Sequence, residues 1–324
     1  MTRPASSRAA ASALIALLFS PLAPATAFTP TSDYKQLKLA EFTVFVHPLC
    51  YKQPGNIAAE SLDRLRIKLE EVNRLVPKKP LETLQKVRIW VEWVKPTKND
   101  PVGNASYHIG DGWLKDNGHN PDKANGVEIP MKGDLTADIC FRDQRMFVLH
   151  ELTHAYHHQV VGHNNPDVKA AFRQAKERKL YDKVPLVYYG KYEKSGRAYA
   201  MTDDMEYLAE ISEAYFGVND WFPFTWQDLQ RHDPVGWKLM EKIWGPIERK
   251  EKAVRLRVHN ETSHEAVLFW IDPDGKLKEY ETIKPGKRAV RPTYSGHCFQ
   301  VQLKGADDRY FYAVPENKSD WTIK

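Results

Sequence analysis

The residues best equipped for chemistry stand together at His150-Glu151-Leu152-Thr153-His154. Residues four apart on an α-helix lie one turn above each other, so this HExxH spacing turns both imidazoles to one side. Two neutral imidazoles can fill two corners of a zinc tetrahedron. A carboxylate beside them can take a proton from water that the metal acidifies to a pKa of about 7. Glu151 is therefore the candidate catalytic base, and His150 and His154 are candidate ligands to one Zn2+ per chain. The flanking residues Phe147, Val148, Leu149, Ala155 and Tyr156 are uncharged, as a helix buried around such a site requires.

A tetrahedral catalytic site needs a third protein ligand and one open position. A third histidine ten residues after the first, behind a glycine turn, does not fit, because position 157 is His and position 160 is Val. Downstream, Glu206, Glu210 and Glu213 share one helical face through i, i+4 and i+7 spacing. A face of like charges is unfavourable on an isolated helix. It makes sense if the first carboxylate binds metal and the next holds a ligand imidazole from behind.

Several elements must position these groups. Residues 41–47 (EFTVFVH) pattern as a strand. Residues 58–75 carry apolar side chains at helical spacing, and residues 87–94 (VRIWVEWV) alternate like a strand. A loop rich in Asn, Gly, Asp and Pro follows, then a short strand at 126–130. The histidine helix is expected over about 144–161, with Asp143 as N-cap and Gly162 as stop. A polar stretch at 191–197 leads to the glutamate helix at 203–216, and a third helix is expected over 234–243. From Val254 onward the segments alternate between turns (VRLRVHN, AVLFWID, KPGK, HCFQVQL), which reads as a small all-β domain. The boundary falls in the charged segment 248–252.

HExxH followed by E-x-x-A-E at Glu206–Glu210 resembles the gluzincin zinc peptidases. It is most similar to the catalytic domain of anthrax lethal factor and to the bacterial Pro-Pro endopeptidases. The resemblance implies a zincin-like metallopeptidase domain over 28–252, in which strand, helix, strands and histidine helix follow in that order. It implies Glu206 as third ligand, Glu210 behind it on a ligand histidine, and Tyr199, seven residues before Glu206, as a donor to the oxyanion of the transition state.

A second resemblance lies in the tail. Trp270-Ile271-Asp272, Asp274-Gly275, Tyr280, Pro285-Gly286 and Thr293-Tyr294-Ser295-Gly296-His297 are similar to the β-domain of the von Hippel–Lindau protein. This implies a small β-sandwich over 253–324 whose peptide-binding positions are Tyr280, Thr293, His297 and Phe299. Thr293 stands where that family has serine, and Phe299 where it has tryptophan. The implied partner is a proline- or hydroxyproline-rich extracellular peptide.

Composition bounds the rest. With 42% hydrophobic and 27% charged residues, the 324-residue chain is globular and long enough for two domains. Arg3 and Arg8, an apolar stretch at 9–19 and Ala25-Thr26-Ala27 form a signal peptide over 1–27, so the product is expected to be secreted or periplasmic. Its removal lowers the net charge from +5 to +3, with no basic stripe, so neither nucleic acid nor a membrane surface is an expected partner. No later segment is apolar enough to span a membrane. Cys50 and Cys140 fall in the same domain and could pair, leaving Cys298 unpaired.

The expectation is thus an α+β chain: a zinc endopeptidase with an appended β-domain that binds its protein or peptide substrate. Two other functions use the same residues. One is a zinc amidase or deacylase acting on non-peptide amides, and the other a non-catalytic zinc-containing binding protein.

Overall fold

The computed structural model describes residues 28–93, 104–188, 190–192, 195–248, 251–315 and 320–324. The expected signal peptide, Val94 of the second expected strand and part of the 248–252 boundary lie outside the described residues.

β1 (Lys35–Leu39) and β2 (Phe42–Val46) form an antiparallel hairpin. Between them Ala40 and Glu41 both take positive φ (46° and 70°), the handedness that a two-residue hairpin turn needs. β2 buries Phe42, Val44 and Val46 in strict alternation. α1 (Ile57–Leu75) sends Leu65, Leu69 and Val72 into the same core, spaced by four and three as a helix face requires. After α2 (Lys78–Leu84), β3 (Ile89–Glu92) runs parallel to β2. β4 (Ser106–Tyr107), the short α3 (Gly112–Asp116) and β5 (Val127–Pro130) complete the first sheet. β5 is parallel to β3 and β4 antiparallel to β5, so the order is β1-β2-β3-β5-β4 and β4 is an edge strand.

α4 (Ala137–Arg142) precedes the histidine helix α5 (Phe147–Tyr156). Asp143 closes α4 rather than capping α5, whose N-cap residue is Met146. The chain continues as a π-helical turn over His157–Val161 and stops at Gly162, whose φ of 84° suits glycine. α6 (Pro166–Glu177), β6 (Val187–Tyr188) and β7 (Lys191–Tyr192) lead to the glutamate helix α7 (Asp204–Phe216). Every residue from Tyr207 to Phe216 is buried, because α5, α8 (Trp226–His232) and α9 (Pro234–Trp244) pack around α7.

The remainder is β8 (Ala253–Asn260), β9 (Ala266–Ile271), β10 (Leu277–Ile283), β11 (Arg288–Tyr294), β12 (Cys298–Leu303), β13 (Arg309–Ala313) and β14 (Asp320–Ile323). They form a two-sheet sandwich. One sheet has the order β11-β8-β14. The other runs β10-β9-β12-β13 and then continues through β7 and β6, which precede the expected boundary by some sixty residues of chain. Its middle strands are covered on both faces. Phe299 and Val301 face the sandwich core with Leu256 and Val258, whereas Cys298, Phe311 and Ala313 belong to the core of the helices. The fold is mixed α+β, with the β-sandwich joined to the rest by a shared sheet and a shared core.

Cys50, Cys140 and Cys298 are all buried free thiols, so the pairing of Cys50 with Cys140 is not made. The Cys50 and Cys140 thiols instead face the carbonyl oxygens of Val91 and Asp134, at 3.7 and 3.2 Å. No helix among the described residues is long and apolar enough to cross a membrane.

Candidate metal-binding cleft

α5 and α7 cross so that their functional faces meet in a cleft of about 820 Å³. On α5 the rings of His150 and His154 lie 4.8 Å apart, nearly perpendicular, as their spacing requires. Their Nε2 atoms stand 3.0 and 3.3 Å from one oxygen, Oε2 of Glu206. Donor atoms of the three residues all lie within 4.8 Å of one another. Glu206 is in the first turn of α7, and the N-cap Asp203 accepts the backbone N–H groups of Met205 and Glu206. The cap thereby fixes the turn that carries the carboxylate.

The imidazoles and carboxylates of this cluster stabilise one another's charge. Burial works to raise Glu206, but hydrogen bonds with His150 and His154 outweigh it and hold the carboxyl well below the usual range. Burial likewise works to lower His150, but Glu206 and Glu213 together hold its imidazole well above an ordinary histidine. Two imidazoles and a carboxylate, with a second carboxylate behind, fit a divalent cation of borderline softness such as zinc.

Glu213 supplies that second carboxylate, which corrects the expectation for Glu210. His150 donates through Nδ1 to Glu213 Oε1 at 2.7 Å, whereas Glu210 Oε1 stays 4.0 Å from Nδ1. The reason is helical geometry. At about 100° per residue, position i+7 returns to within about 20° of position i, while i+4 overshoots by about 40°. Glu206 and Glu213 therefore bracket one imidazole, one at each ring nitrogen. Glu210 turns aside and accepts from Asn219 Nδ2 at 3.2 Å. Burial first, then the neighbouring Asp220 and Glu213, push the Glu210 carboxyl well up.

Glu151 follows His150 on α5 and also lines the cleft. Tyr107, on the edge strand β4, lines the same cleft. Burial pushes the Glu151 carboxyl above the ordinary value; His150 and His154 oppose that rise, and Glu206 adds to it. Tyr199 stands in a 3-10 turn over Tyr199–Met201, 49% exposed, and its hydroxyl donates to Glu206 Oε1 at 3.1 Å. Every residue expected in the metal cluster thus lies in one cleft. Glu213's distinct role, Tyr107, Asp203 and Asn219 were not foreseen. The i+7 spacing was the available signal for Glu213, whereas a two-residue strand such as β4 leaves no periodicity to read.

The four positions of the β-domain resolve into two pairs. Thr293 Oγ1 and His297 Nδ1 are hydrogen bonded at 3.0 Å, and Trp270 and Tyr294 flank the imidazole at 5.4 and 5.5 Å. Burial pushes the His297 imidazole down. Tyr280 occupies a bulge in β10, 43% exposed, with its ring 5.9 Å from that of Phe299. Phe299 is 0% exposed and belongs to the sandwich core, because β12 is a central strand covered on both faces. So enclosed, it has no exposed surface to offer at the peptide-binding position expected of it.

No family model matches the chain, and no curated protein matches it significantly.

Proposed function

We propose that this protein is a secreted zinc-dependent endopeptidase. The observation that carries this reading is the convergence of His150 Nε2, His154 Nε2 and the Glu206 carboxylate beside Glu151 in one cleft. Three such donors leave a coordination position for water or substrate, which a structural zinc site would normally fill with a fourth protein ligand. Zinc held there would polarise a carbonyl and acidify water.

The remaining roles belong to side chains of this chain. Glu151, with its carboxyl raised by burial, takes the proton of the attacking water and returns it to the leaving amine. Tyr199 offers a phenol at the same cleft as hydrogen-bond donor to the developing oxyanion. Glu213, bonded to Nδ1 of His150, favours the tautomer that leaves Nε2 free for a metal. The element order of strand, helix, strands, histidine helix and glutamate helix supports a zincin-like catalytic part, and a glutamate ligand supports the gluzincin class. The N-terminal segment supports export, and the size of the cleft suits a polypeptide substrate.

The test joins metal analysis to digestion of a proteome-derived peptide library. The wild type is expected to hold about one zinc per chain and to cut peptides, while Glu151→Gln keeps zinc and loses cleavage. Stoichiometric zinc with no peptide cleaved would shift the reading to an amidase or to a non-catalytic zinc protein. Cleavage by Glu151→Gln at the wild-type rate would overturn the mechanism.

A further inference from the structure

The cleft has a wall that neither helix provides. Leu186, Tyr188 and Trp221 line it together with the metal cluster. Leu186 and Trp221 face each other in an antiparallel bridge. On either side of it, Val187 N–H donates to Asp220 O at 2.8 Å and Phe222 N–H to Pro185 O at 2.9 Å. Gly196 leaves room for the indole: a Cβ there would meet the Trp221 ring at 3.4 Å.

The back of this wall rests on the β-sandwich at two places. In the short segment 221–224, Trp221 is turned to the cleft while Phe222 and Phe224 are buried against the β-domain. Phe222 packs against Gly275 in the turn after β9, and Phe224 lies 4.7 Å from Phe311 of β13. At the second place β6 pairs with β7, and β7 with β13. Phe311 N–H donates to Gly190 O at 2.8 Å, and Lys191 Nζ meets Asp308 at 2.5 Å. The sheet that begins in the β-sandwich therefore ends in the wall of the cleft.

We propose that Tyr188 and Trp221 are specificity-determining residues, and that the β-domain is the positioning element that holds them. This rests on the peptidase reading and adds a substrate class: polypeptides with a large apolar or aromatic side chain next to the cleaved bond. Two aromatic side chains and Leu186 offer apolar area, whereas most of the charged groups lining the cleft are carboxylates. A β-domain working this way needs no ligand of its own.

The experiment uses the full chain in three forms: wild type, Trp221→Ala and Asp308→Ala. Asp308 is half exposed, so its loss leaves the core intact and loosens only the junction of β7 with β13. Amide exchange at 185–188 and 220–222 is expected to rise about threefold to fivefold in Asp308→Ala, in keeping with one surface ion pair. Zinc content should stay at the wild-type level in both variants. With peptides that carry an apolar residue beside the cut, Trp221→Ala is expected to raise KM about tenfold with kcat little changed, the signature of lost substrate binding. Peptides with a small residue there should hardly respond. Unchanged exchange in Asp308→Ala, or an unchanged preference in Trp221→Ala, would overturn the proposal. If the wild type cleaves nothing, the peptidase reading fails instead, and the exchange measurement still decides whether the β-domain holds the wall.

Discussion

The histidine–glutamate cluster and the four β-domain positions are both sets of side chains picked from sequence, yet they behave differently in the fold. His150 and His154 come together because one helix turn joins them, and Glu206 and Glu213 because two turns do. Tyr280, Thr293, His297 and Phe299 come from three strands and a turn, divided between two sheets. Where a strand residue points depends on which faces of its sheet are covered, and that is a property of the whole chain. Helical spacing carries its own geometry, whereas a strand position acquires its role from its neighbours.

The first way to break the comparison is at the base. Glu151→Gln should cost about 10² to 10⁴ in kcat with zinc retained, read by single-turnover hydrolysis and metal analysis together. Loss of zinc in that variant would make Glu151 a structural rather than a catalytic group.

Next comes the core assignment of Phe299. Phe299→Ala should destabilise by about 3–5 kcal/mol, as deletion of a large buried ring does. Tyr280→Ala, at an exposed bulge, should stay within about 0.5 kcal/mol. Denaturant midpoints decide it, and equal effects would mean that the two rings share one surface.

A third contrast is pH. His157 sits in the π-helical turn, buried, with both ring nitrogens lacking a hydrogen-bond partner among the described residues. Burial, with His163 adding, pushes its imidazole down to about 4. Below about pH 6.5 the unfolded chain takes up a proton that folded His157 refuses, so the stability present above 6.5 drains away down to about pH 4. The loss amounts to about 3 kcal/mol over that window. His157→Phe should flatten the slope of unfolding free energy between those limits, and an unaltered slope would place its origin elsewhere.

The smallest effect separates two glutamates one turn apart. Glu213→Ala should weaken zinc affinity about 10- to 100-fold, as loss of a carboxylate behind a ligand imidazole does. Glu210→Gln should change affinity little, since Glu210 bonds Asn219 and not the histidine. Competition with a chromogenic chelator measures both, and the opposite ranking would restore Glu210 to the role its sequence spacing suggested.

Much of the site was legible because it is written in local periodicity. HExxH needs only that residues 147–156 be helical, and the flanking apolar residues ensure that they are. The choice between Glu210 and Glu213 was legible only in part: both lie on one face, and the i+7 spacing sets Glu213 nearer the line of Glu206. The packing of α7 on α5 completes the choice, with Glu213 at 2.7 Å from Nδ1 of His150 and Glu210 at 4.0 Å. β7 falls in the stretch expected to be a polar connector, 191–197, and β6 just before it, because two strands of two residues each show no alternation. Their pairing with β13 exists only once distant segments meet.

Sequence alone determined the side chains that meet in the cleft: two imidazoles, a neighbouring carboxylate and an acidic helix beside them. It also determined that a β-rich segment would follow. Tertiary structure decided that this segment is no separate appendage. Phe222, Phe224, Cys298 and Phe311 are bound into one core, and the sheet of the sandwich runs on into the wall of the cleft. The physical reason is that edge strands and apolar faces must be covered by something, and in this chain each half covers what the other leaves open.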